Sequence, residues 1–482
     1  STLDRSSAAS DVYKRQAQAI PNARASQWME ENIPLFECSQ KNFEEMYYYR
    51  WWTLRKHIKE TPVGYGMTEF LVNRSYADKY NLIACAIGHH IYESRWLRNP
   101  EYLNQIIHTW YRGNEGGPMA KMTKFSSWNA DAVLGRYMVD GNKEFLLDMV
   151  KDLEAEYARW EKTNRLPNGL YWQGDVQDGM EESISGGRRK QYARPTINSY
   201  MYGNAKALSL IGIMTGDEGM AMKYGLKADS IKTLVQDKLW NTDHHFFETM
   251  RGDASAEVRE AIGYIPWYFN LPDASSKYTV AWKEVMDEKG FSAPYGLTTA
   301  ERRHPEFRTH GVGKCEWDGA IWPFASAQTL TAMANFMNNY PQTVLTDSVY
   351  FHQMERYVES QHHRGRPYIG EYLDEVTGYW LKGDQERSRY YNHSTFNDLM
   401  ITGLIGLRPR MDNTVEVNPL IPEGKWDYFC LDNVLYHGRN LTILWDKDGS
   451  RYQRGKGLHI YVDGKEVGHA DTLTRVLCEN VL

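Results

Sequence analysis

The chain has 482 residues, of which 42% are apolar and 24% charged, so a sizeable core is possible and wholesale disorder is excluded. The formal net charge is -6 at pH 7, which argues against a nucleic-acid binder because such proteins carry basic patches. No apolar run approaches the roughly 18 residues of a membrane-spanning helix. We therefore expect a globular protein with no membrane span.

The cysteine and aromatic contents bear on the kind of globular protein. The five cysteines are far apart and include no Cys-x-x-Cys pair, so neither a zinc cluster nor a disulfide framework is indicated. Aromatic residues make up 13% of the chain. Aromatic faces pack against the C–H faces of sugars, but a large helical core needs many aromatic residues too. Composition leaves these two explanations open.

The N-terminus resembles a sequencing artefact. Residues 11–16 read Asp-Val-Tyr-Lys-Arg-Gln, similar to a translated transposon-end adapter in assembled environmental sequences. We exclude residues 1–16 from the fold for this reason. A signal peptide could have been lost with the natural start, so its absence carries little information, and a periplasmic or secreted location is favoured while the compartment stays open.

The next part of the chain shows one helical pattern after another, mostly in pairs with short turns. Three connections are long, at residues 164–194, 289–317 and 362–393, and such loops are usually functional. About twelve helices are predicted: from Ser39 through Trp51, at about 82–97 and 99–112, Trp128 to Val139, Lys143 to Thr163, Pro195 to Thr215, Glu218 to Trp240, near 255–268 and 275–288, Asp318 to Asn338, Val344 to Gln361, and Ser394 to Leu407.

The pattern changes to strands after Pro409. The segments 414–417 and 441–444 alternate in polarity, and Asp463-Gly464 between two apolar runs predicts a hairpin. We predict a small β-sandwich over residues 409–482, packed on the helices.

The first candidate site is the acidic loop 171–183, where Asp175, Asp178, Glu181 and Glu182 lie among Trp and Met. Mutual repulsion and apolar neighbours both raise the pKa of a carboxyl group, as a general acid requires. A solvated acidic loop, or a cation site built from Asp175 and Asp178, explains the pattern equally well.

Two further loops combine acids with aromatic residues. In residues 315–323, Asp318 lies between Trp317 and Trp322; a helix N-cap is its simpler explanation, while the two Trp side chains would suit a sugar ring. In residues 368–380, Glu371 stands among aromatic residues, as a general base that activates water requires. Residues 374–378 could alternatively be only a turn.

Taken in order, these segments resemble the six-hairpin glycosidases, particularly glycoside hydrolase family 63 and the mannosylglycerate-hydrolase-like (MGH1-like) group. The family's Ser-Gly-Met/Leu-Asp-Asn segment, which carries its general acid, is similar to residues 178–182, and its Leu-Asn-rich helix start to residues 195–199. Its Trp-Arg-Gly-Pro-Val-Trp-Pro segment is similar to residues 317–323. Its Glu-Asn-Tyr-Asn-Pro-x-Thr-Gly segment, which carries the base, is similar to residues 371–378.

The resemblance implies a mainly α protein, with an (α/α)6 toroid as the catalytic domain over residues 17–408 and the β-sandwich over 409–482. It implies an inverting, exo-acting glycosidase with Glu181 as general acid and Glu371 as general base. Two departures matter: Glu181 replaces the family's Asp, and Asp318 replaces its sugar-facing Arg. Either the pocket is reshaped, or Asp178 or Glu182 is the acid, and substrate identity does not carry over.

The other predicted site residues bind the substrate. An oligosaccharide or glycan is the expected partner of a monomer or small homo-oligomer, with no nucleic acid, metal or cofactor. Core packing explains Trp128 equally well, and His393 could cap the last helix or hold the base. The predicted set comprises Tyr171, Trp172, Trp317 and Trp322 for stacking, Asn198 and Asp318 for hydroxyl groups, and Trp128 and His393 in the pocket wall.

Three other functions compete with hydrolysis. A polysaccharide lyase would need Tyr or His as base and a cation for a uronate, and the paired acids argue against it. A sugar isomerase would use pocket histidines, for which the pairs at 89–90, 244–245 and 362–363 are candidates. A non-catalytic carbohydrate-binding protein would explain Glu181 as a lost acid. The basic run 188–190 is more simply a solvated loop than a site for an anionic sugar.

Overall fold

Residues 17–482 are described by the computed structural model, so the adapter-like segment 1–16 lies outside the described residues. Short 3-10 or π turns at 235–239, 261–264, 280–285 and 400–404 extend four of the helices. Among residues 17–482, no helix combines the length and apolar character that crossing a bilayer requires. The α-helices are α1 Ala25–Asn32, α2 Lys41–Lys56, α3 Ile87–Ser94, α4 Glu101–Arg112, α5 Asn129–Asp140, α6 Lys143–Asn164, α7 Pro195–Thr215, α8 Glu218–Leu234, α9 Ile265–Tyr268, α10 Ser276–Thr279, α11 Pro323–Asn339, α12 Asp347–Ser360 and α13 Asn397–Leu399.

Six of these helices form a closed inner ring. Helices α3, α5, α7, α9, α11 and α13 each contact the next, and α13 returns to α3. Residues 195–205 of α7 are all buried, as expected for a helix surrounded by other helices. Helix α4 buries only one face, through Leu103, Ile106 and Ile107 among others, as an outer helix does. The ring confirms the predicted (α/α)6 toroid.

Glycine allows two close approaches inside the ring. A Cβ atom on Gly88 of α3 would lie 2.1 Å from the Trp128 ring, and one on Gly203 of α7 would lie 2.2 Å from Phe269. Both distances are far below van der Waals contact, so these positions accept no larger side chain without movement.

The strands of the helical part are short, and most of them form ribbons beside the helices. They are β1 Ala17–Gln18, β2 Leu35–Cys38, β3 Ile58–Thr61, β4 Gly64–Met67, β5 Trp172–Gln173, β6 Tyr192–Ala193, β7 Trp240–Asn241, β8 Phe246–Phe247, β9 Met250–Arg251, β10 Ala254–Ser255, β11 Ser292–Ala293, β12 Gly296–Leu297, β13 His362–His363 and β14 Arg366–Pro367.

Two antiparallel sheets form the C-terminal part. Their strands are β15 Leu407–Arg408, β16 Val415–Val417, β17 Tyr428–Tyr436, β18 Arg439–Asp446, β19 Gly457–Val462, β20 Lys465–Ala470 and β21 Val476–Cys478. One sheet has the order β2-β17-β18-β19-β20 and the other β15-β16-β21, and β20 contacts β21. In the register of the larger sheet, Leu431 lies opposite Ile443, which lies opposite Ile460, so apolar residues share one face. The predicted C-terminal β-sandwich is confirmed.

An early segment of the chain completes the larger sheet. Strand β2 pairs antiparallel with β17, with Phe36 opposite Leu431 and Cys38 opposite Phe429. The sequence pattern did not indicate this strand. The boundary at residues 408/409 stays a prediction, with β2 contributed from the other side of it.

One helix start differs from the prediction in a way that affects the site. Helix α11 begins at Pro323, not at Asp318, because Trp322 is extended and Pro is favoured in a first helical turn. The Asp318 carboxylate instead accepts the backbone N–H groups of His310 and Gly311, at 2.9 and 2.8 Å. Asp318 therefore ties down the preceding loop and is not the N-cap.

Candidate active site

A cavity of about 590 Å³ lies where several inner helices begin. Cys85, Phe125, Trp322 and His393 line it, each shortly before the start of an inner helix, and Glu181 lines it from the long connection that precedes α7. The three long connections supply much of the remaining wall. The cavity is lined further by Glu69, Tyr76, Ile83, Lys124, Val176, Gln177, Gly179, Glu182, Arg188, Lys314, Cys315, Phe324, Glu371, Lys382, Arg387 and Tyr391.

Glu181 has the protonation behaviour of a general acid. Burial, and then the negative charges of Glu371 and Asp175, raise its pKa to about 7. Arg188 opposes this shift. The chain reverses at Gly179, whose φ of 72° costs glycine little, just before Glu181 joins the cavity wall. The carboxyl group therefore keeps a proton close to neutral pH.

Glu371 faces the same cavity in a different electrostatic environment. It is 6% exposed, and its Oε2 has no hydrogen-bond partner among the described residues. The Arg387 Nη2 atom lies 3.8 Å from that oxygen. Burial raises the pKa of Glu371, while the positive charges of Lys382 and Arg387 limit the rise. A carboxylate with a free oxygen and cations nearby suits a general base.

A further carboxyl group in the cavity, Glu69, was missed by sequence reasoning. It is 3% exposed, and the Cys85 thiol donates to its Oε1 at 3.5 Å. Burial, with the charges of Glu371 and Glu181, raises the pKa of Glu69 to about 8. Glu69 follows β4, outside the three acidic and aromatic loops. No local pattern marked it, and only closure of the ring brings it to the site.

Two predicted residues that line the cavity carry buried polar atoms without a partner among the described residues. His393 is 2% exposed, and neither of its ring nitrogens has a partner among the described residues. Burial lowers the pKa of His393 well below its ordinary value, so the ring is neutral. The Trp322 indole N–H also has no partner among residues 17–482. Because buried polar groups are normally hydrogen-bonded, both fit a polar ligand or water in the cavity.

Trp322 belongs to an aromatic stack. Its ring centroid lies 4.6 Å from that of Trp317 and 4.6 Å from that of Tyr372, with the planes within 23° and 19° of parallel. Trp322 lines the cavity, while Trp317 is buried behind it and does not. Of the four predicted stacking residues, Trp322 is therefore the one that the structure places at the site.

The structure removes Asp178 from the candidates for the acid. Its side chain is fully buried and forms an ion pair with Arg194 at 2.7 Å. The hydroxyl of Thr196 donates to it at 2.5 Å, and that of Ser126 also donates. Asp178 does not line the cavity. The same contacts argue against a cation site at Asp175 and Asp178, because the Arg194 guanidinium occupies that position.

Tyr171, Trp172 and Asn198 also lie outside the cavity. The Asn198 amide accepts the backbone N–H of Tyr171 at 2.8 Å and donates to its carbonyl at 2.8 Å. Trp172 pairs with Ala193 in a short ribbon. These residues shape the acidic loop from behind, so the predicted contacts of Tyr171, Trp172 and Asn198 with sugar are corrected to structural ones.

The predicted contacts of Trp128 and Asp318 with the sugar are also corrected to structural ones, because neither side chain lines the cavity. Trp128 is fully buried, and its indole N–H donates to the Tyr268 hydroxyl at 3.0 Å. The His89 ring packs edge-on against Trp128 and Phe324, with centroids 5.0 and 4.5 Å apart. These rings pack against Phe324, which lines the cavity, and neither His89 nor Trp128 reaches it.

Positive side chains surround the carboxyl groups. Lys314 Nζ lies 3.6 Å from a Glu182 oxygen. Arg188, predicted as a solvated loop residue, lines the cavity. Since Glu69 and Glu181 keep their protons near neutral pH, positive charge exceeds negative charge at the wall. The five cationic residues, here called the basic rim, are Lys124, Arg188, Lys314, Lys382 and Arg387.

Two family models match the chain. The mannosylglycerate hydrolase MGH1-like glycoside hydrolase domain matches residues 79–394, which contain the whole cavity except Glu69 and Tyr76. The glycosyl hydrolase family 65 C-terminal domain matches residues 407–469, in the two C-terminal sheets. The resemblance seen in the sequence is thereby confirmed.

Solved structures share the fold. A sialidase is 84% identical, with a TM-score of 0.96 over 97% of this chain, but the chain spans only 43% of that protein. The family 63 mannosylglycerate hydrolase from Thermus thermophilus, in complex with glucose, is 11% identical, with a TM-score of 0.53 over 74% of this chain and 99% of that one. The family 78 rhamnosidase of Bacillus sp. GL1 is 13% identical, with a TM-score of 0.58 over 89% and 41%. At 11–13% identity the likeness shows the fold alone.

Proposed function

Because the chain belongs to the family of mannosylglycerate hydrolase MGH1-like glycoside hydrolases, we propose that it hydrolyses a glycosidic bond in the cavity where the inner helices begin. The observation that carries the proposal is the contrast between Glu181 and Glu371. One cavity holds a carboxyl group whose pKa is raised to about 7 and another that has cations beside it. Two carboxyl groups in different electrostatic environments are suited to act as acid and base.

In this mechanism Glu181 donates its proton to the leaving oxygen of the glycosidic bond. Glu371 takes a proton from a water molecule, whose oxygen attacks the anomeric carbon from the opposite face. The products are a sugar of inverted configuration and the released alcohol. Trp322 stacks on the sugar, and the neutral His393 ring bonds a hydroxyl group. Afterwards the proton on Glu371 and the charge on Glu181 exchange with solvent.

The shape of the cavity supports action on a chain end. Phe324 and His393 line the cavity, and the buried rings of His89 and Trp128 pack against Phe324 without reaching the cavity themselves. We infer that this core packing closes the cavity on that side, and a closed end admits a terminal sugar more readily than the middle of a polymer. We therefore propose exo-action.

The basic rim supports an acidic glycan as substrate. Cations at the mouth of a partly buried site raise the local concentration of anions and bind carboxylates or sulfates directly. The 84% identical sialidase carries the name of an activity on an acidic sugar, although that protein is more than twice as long as the matched region. We propose a uronate-bearing or otherwise acidic oligosaccharide.

The test is sugar release from paired acidic and neutral oligosaccharides by wild type, Glu371→Gln and Glu386→Gln. Glu386 is exposed on the same loop and outside the cavity, so it is the matched control. We expect release of one terminal sugar, a loss of about 10²- to 10⁴-fold in Glu371→Gln, and no loss in the control. Equal activity of Glu371→Gln and wild type would reject Glu371 as the base.

Two further readings of the same assay check the finer points. Proton NMR of fresh product distinguishes inversion from retention. Glu181→Gln should lose less on a nitrophenyl glycoside than on a natural sugar linkage, because a nitrophenolate departs without a proton. An inactive wild type that binds the acidic oligosaccharides would support the non-catalytic alternative.

A further inference from the structure

Glu69 is held in the cavity wall by backbone contacts on both sides. Its carbonyl oxygen accepts the N–H of Asn392 at 3.0 Å, and the Asn392 side chain donates to the carbonyl of Thr68 at 3.0 Å. These bonds join the segment after β4 to the segment before α13. The side chain is 3% exposed and faces the cavity that holds Glu181 and Glu371. Its position is therefore fixed by the ring and not by a mobile loop.

The surroundings of Glu69 differ from those of Glu181 and Glu371. Arg387 lies 3.8 Å from Glu371, and Arg188 acts on Glu181, but no cation within 4 Å pairs with Glu69 in the described part of the chain. The polar neighbours of Glu69 are the Cys85 thiol and the Tyr391 hydroxyl. Tyr76 is the other titratable group beside it. All of these neighbours are neutral near pH 7, because burial raises the pKa values of Cys85, Tyr76 and Tyr391.

Four carboxyl groups line the cavity, and like charges that lie close together disfavour ionising all of them; they are Glu69, Glu181, Glu182 and Glu371. The cations beside Glu371 favour its ionised form. Burial and the charges of Glu371 and Glu181 raise the pKa of Glu69 to about 8, and no cation among residues 17–482 is paired with it to oppose them. At neutral pH the Glu69 carboxyl group is therefore neutral, while the positive charges of Lys382 and Arg387 favour the ionised form of Glu371.

We propose that Glu69 is a further substrate-binding residue, which donates a hydrogen bond from its neutral carboxyl group to an oxygen of the bound sugar. The inference rests on the proposed function. A neutral carboxyl group offers an O–H hydrogen-bond donor, which an ionised carboxylate lacks. In this role Glu69 contributes to the choice of sugar and does not transfer a proton in the reaction.

The test compares Glu69→Gln, which keeps a neutral donor of similar shape, with Glu69→Ala, which removes it. Glu156→Gln is the matched control: Glu156 is also buried, with a pKa raised to about 7, but it lies outside the cavity. Sugar release from the oligosaccharide that wild type hydrolyses is measured from pH 5 to 10. Binding of glucuronate, galacturonate, glucose and galactose is measured separately on the Glu371→Gln background.

We expect Glu69→Gln to stay within about threefold of wild type at pH 6.5, and Glu69→Ala to lose about tenfold in kcat/KM and in sugar binding. Above pH 8 the activity of wild type should fall steeply, because two groups, Glu181 and Glu69, lose a proton. The activity of Glu69→Gln should fall less steeply, because only Glu181 loses a proton, and the pH profile of Glu156→Gln should match that of wild type.

Two results would overturn the assignment. An equal, large loss in Glu69→Gln and Glu69→Ala would show that Glu69 acts as an ionised acceptor or as the general acid. Wild-type behaviour of Glu69→Ala would show that it does not touch the sugar. Circular dichroism and melting curves establish that each variant is folded.

Failure of the proposed function gives a different result. If wild type releases no sugar, hydrolysis is rejected, and the sugar-binding comparison still decides whether Glu69 donates. Carbon-13 labelling of glutamate carboxyl groups adds a readout without any ligand. A resonance that titrates near pH 8 should be present in wild type and absent from Glu69→Gln, and its absence from wild type would reject the neutral carboxyl group.

Discussion

At the scale of single residues, the acidic loop separates two acids that look alike in sequence. Asp178 and Glu181 are three positions apart, yet Asp178 is paired with Arg194 while Glu181 lines the cavity. The pairing fixes the loop to the start of α7, which positions Glu181. Asp178 thus contributes to the site by holding its neighbour in place.

Asp178→Ala should strongly destabilise the fold, because it leaves the fully buried Arg194 charge without its partner. Removing one partner of a buried ion pair costs about 3–5 kcal/mol. Denaturant unfolding followed by circular dichroism measures the change. Asp427→Ala is the control, since Asp427 and Lys447 form an exposed pair at 3.5 Å and such pairs contribute little. Equal stability of the two variants would contradict the importance of the Asp178 pair.

At the scale of elements, strand β2 connects the N-terminal segment to the C-terminal sheet. Phe36 is 3% exposed and its ring contacts Tyr47 of α2 and Trp426 of the C-terminal part, with centroids 5.2 and 6.2 Å apart. The strand therefore couples the barrel to the sandwich. We propose that residues 409–482 form the second domain, with β2 as a strand supplied by the first.

Phe36→Ala should lower the free energy of unfolding by about 3–5 kcal/mol, because it leaves a cavity between the barrel and the sheet. Leu35, on the same strand, is 39% exposed, so Leu35→Ala is the matched control and should have a much smaller effect. Hydrogen exchange should accelerate at the β17 amides in Phe36→Ala. Unchanged exchange there would show that β2 is not needed to hold the sheet.

At the scale of the whole molecule, the inner helices begin at one end of the barrel, and the cavity lies there. The N-terminal end of a helix carries partial positive charge, which favours an ionised carboxylate such as Glu371. Burial in the same barrel disfavours the ionised form of acids that have no such positive charge beside them. The pKa values of Asp131 and Glu156 are both raised to about 7 by burial.

These raised pKa values make stability depend on pH. A carboxyl group whose folded pKa exceeds its unfolded value stabilises the fold fully below the unfolded pKa of about 4.3, and this contribution is lost as pH rises through the folded pKa of about 7. Glu156→Gln should therefore melt at a higher temperature than wild type at pH 8, and at about the same temperature at pH 4.5.

Glu156→Gln suits this position. The Asn129 side chain now donates to the Glu156 carboxylate, and its own Oδ1 atom has no partner among the described residues. The Asn129 amide can therefore turn over and accept a hydrogen bond from the glutamine. Thermal melts from pH 4.5 to 8 measure the effect. Glu144→Gln, at an exposed position of the same helix, should leave the pH dependence unchanged. A constant difference between Glu156→Gln and wild type at every pH would contradict the raised pKa.

The sequence by itself determined the helical hairpins, the C-terminal sheets, the family, and the loops that carry Glu181 and Glu371. Local periodicity reports which face of a helix is buried, and a turn shows itself in a few neighbouring residues. Only the tertiary structure decided that Asp178 pairs with Arg194, that Asp318 ties a loop, and that Glu69 joins the cavity. Those outcomes depend on which charges and ring faces meet when distant helices close into a ring, and spacing along the chain carries no record of that.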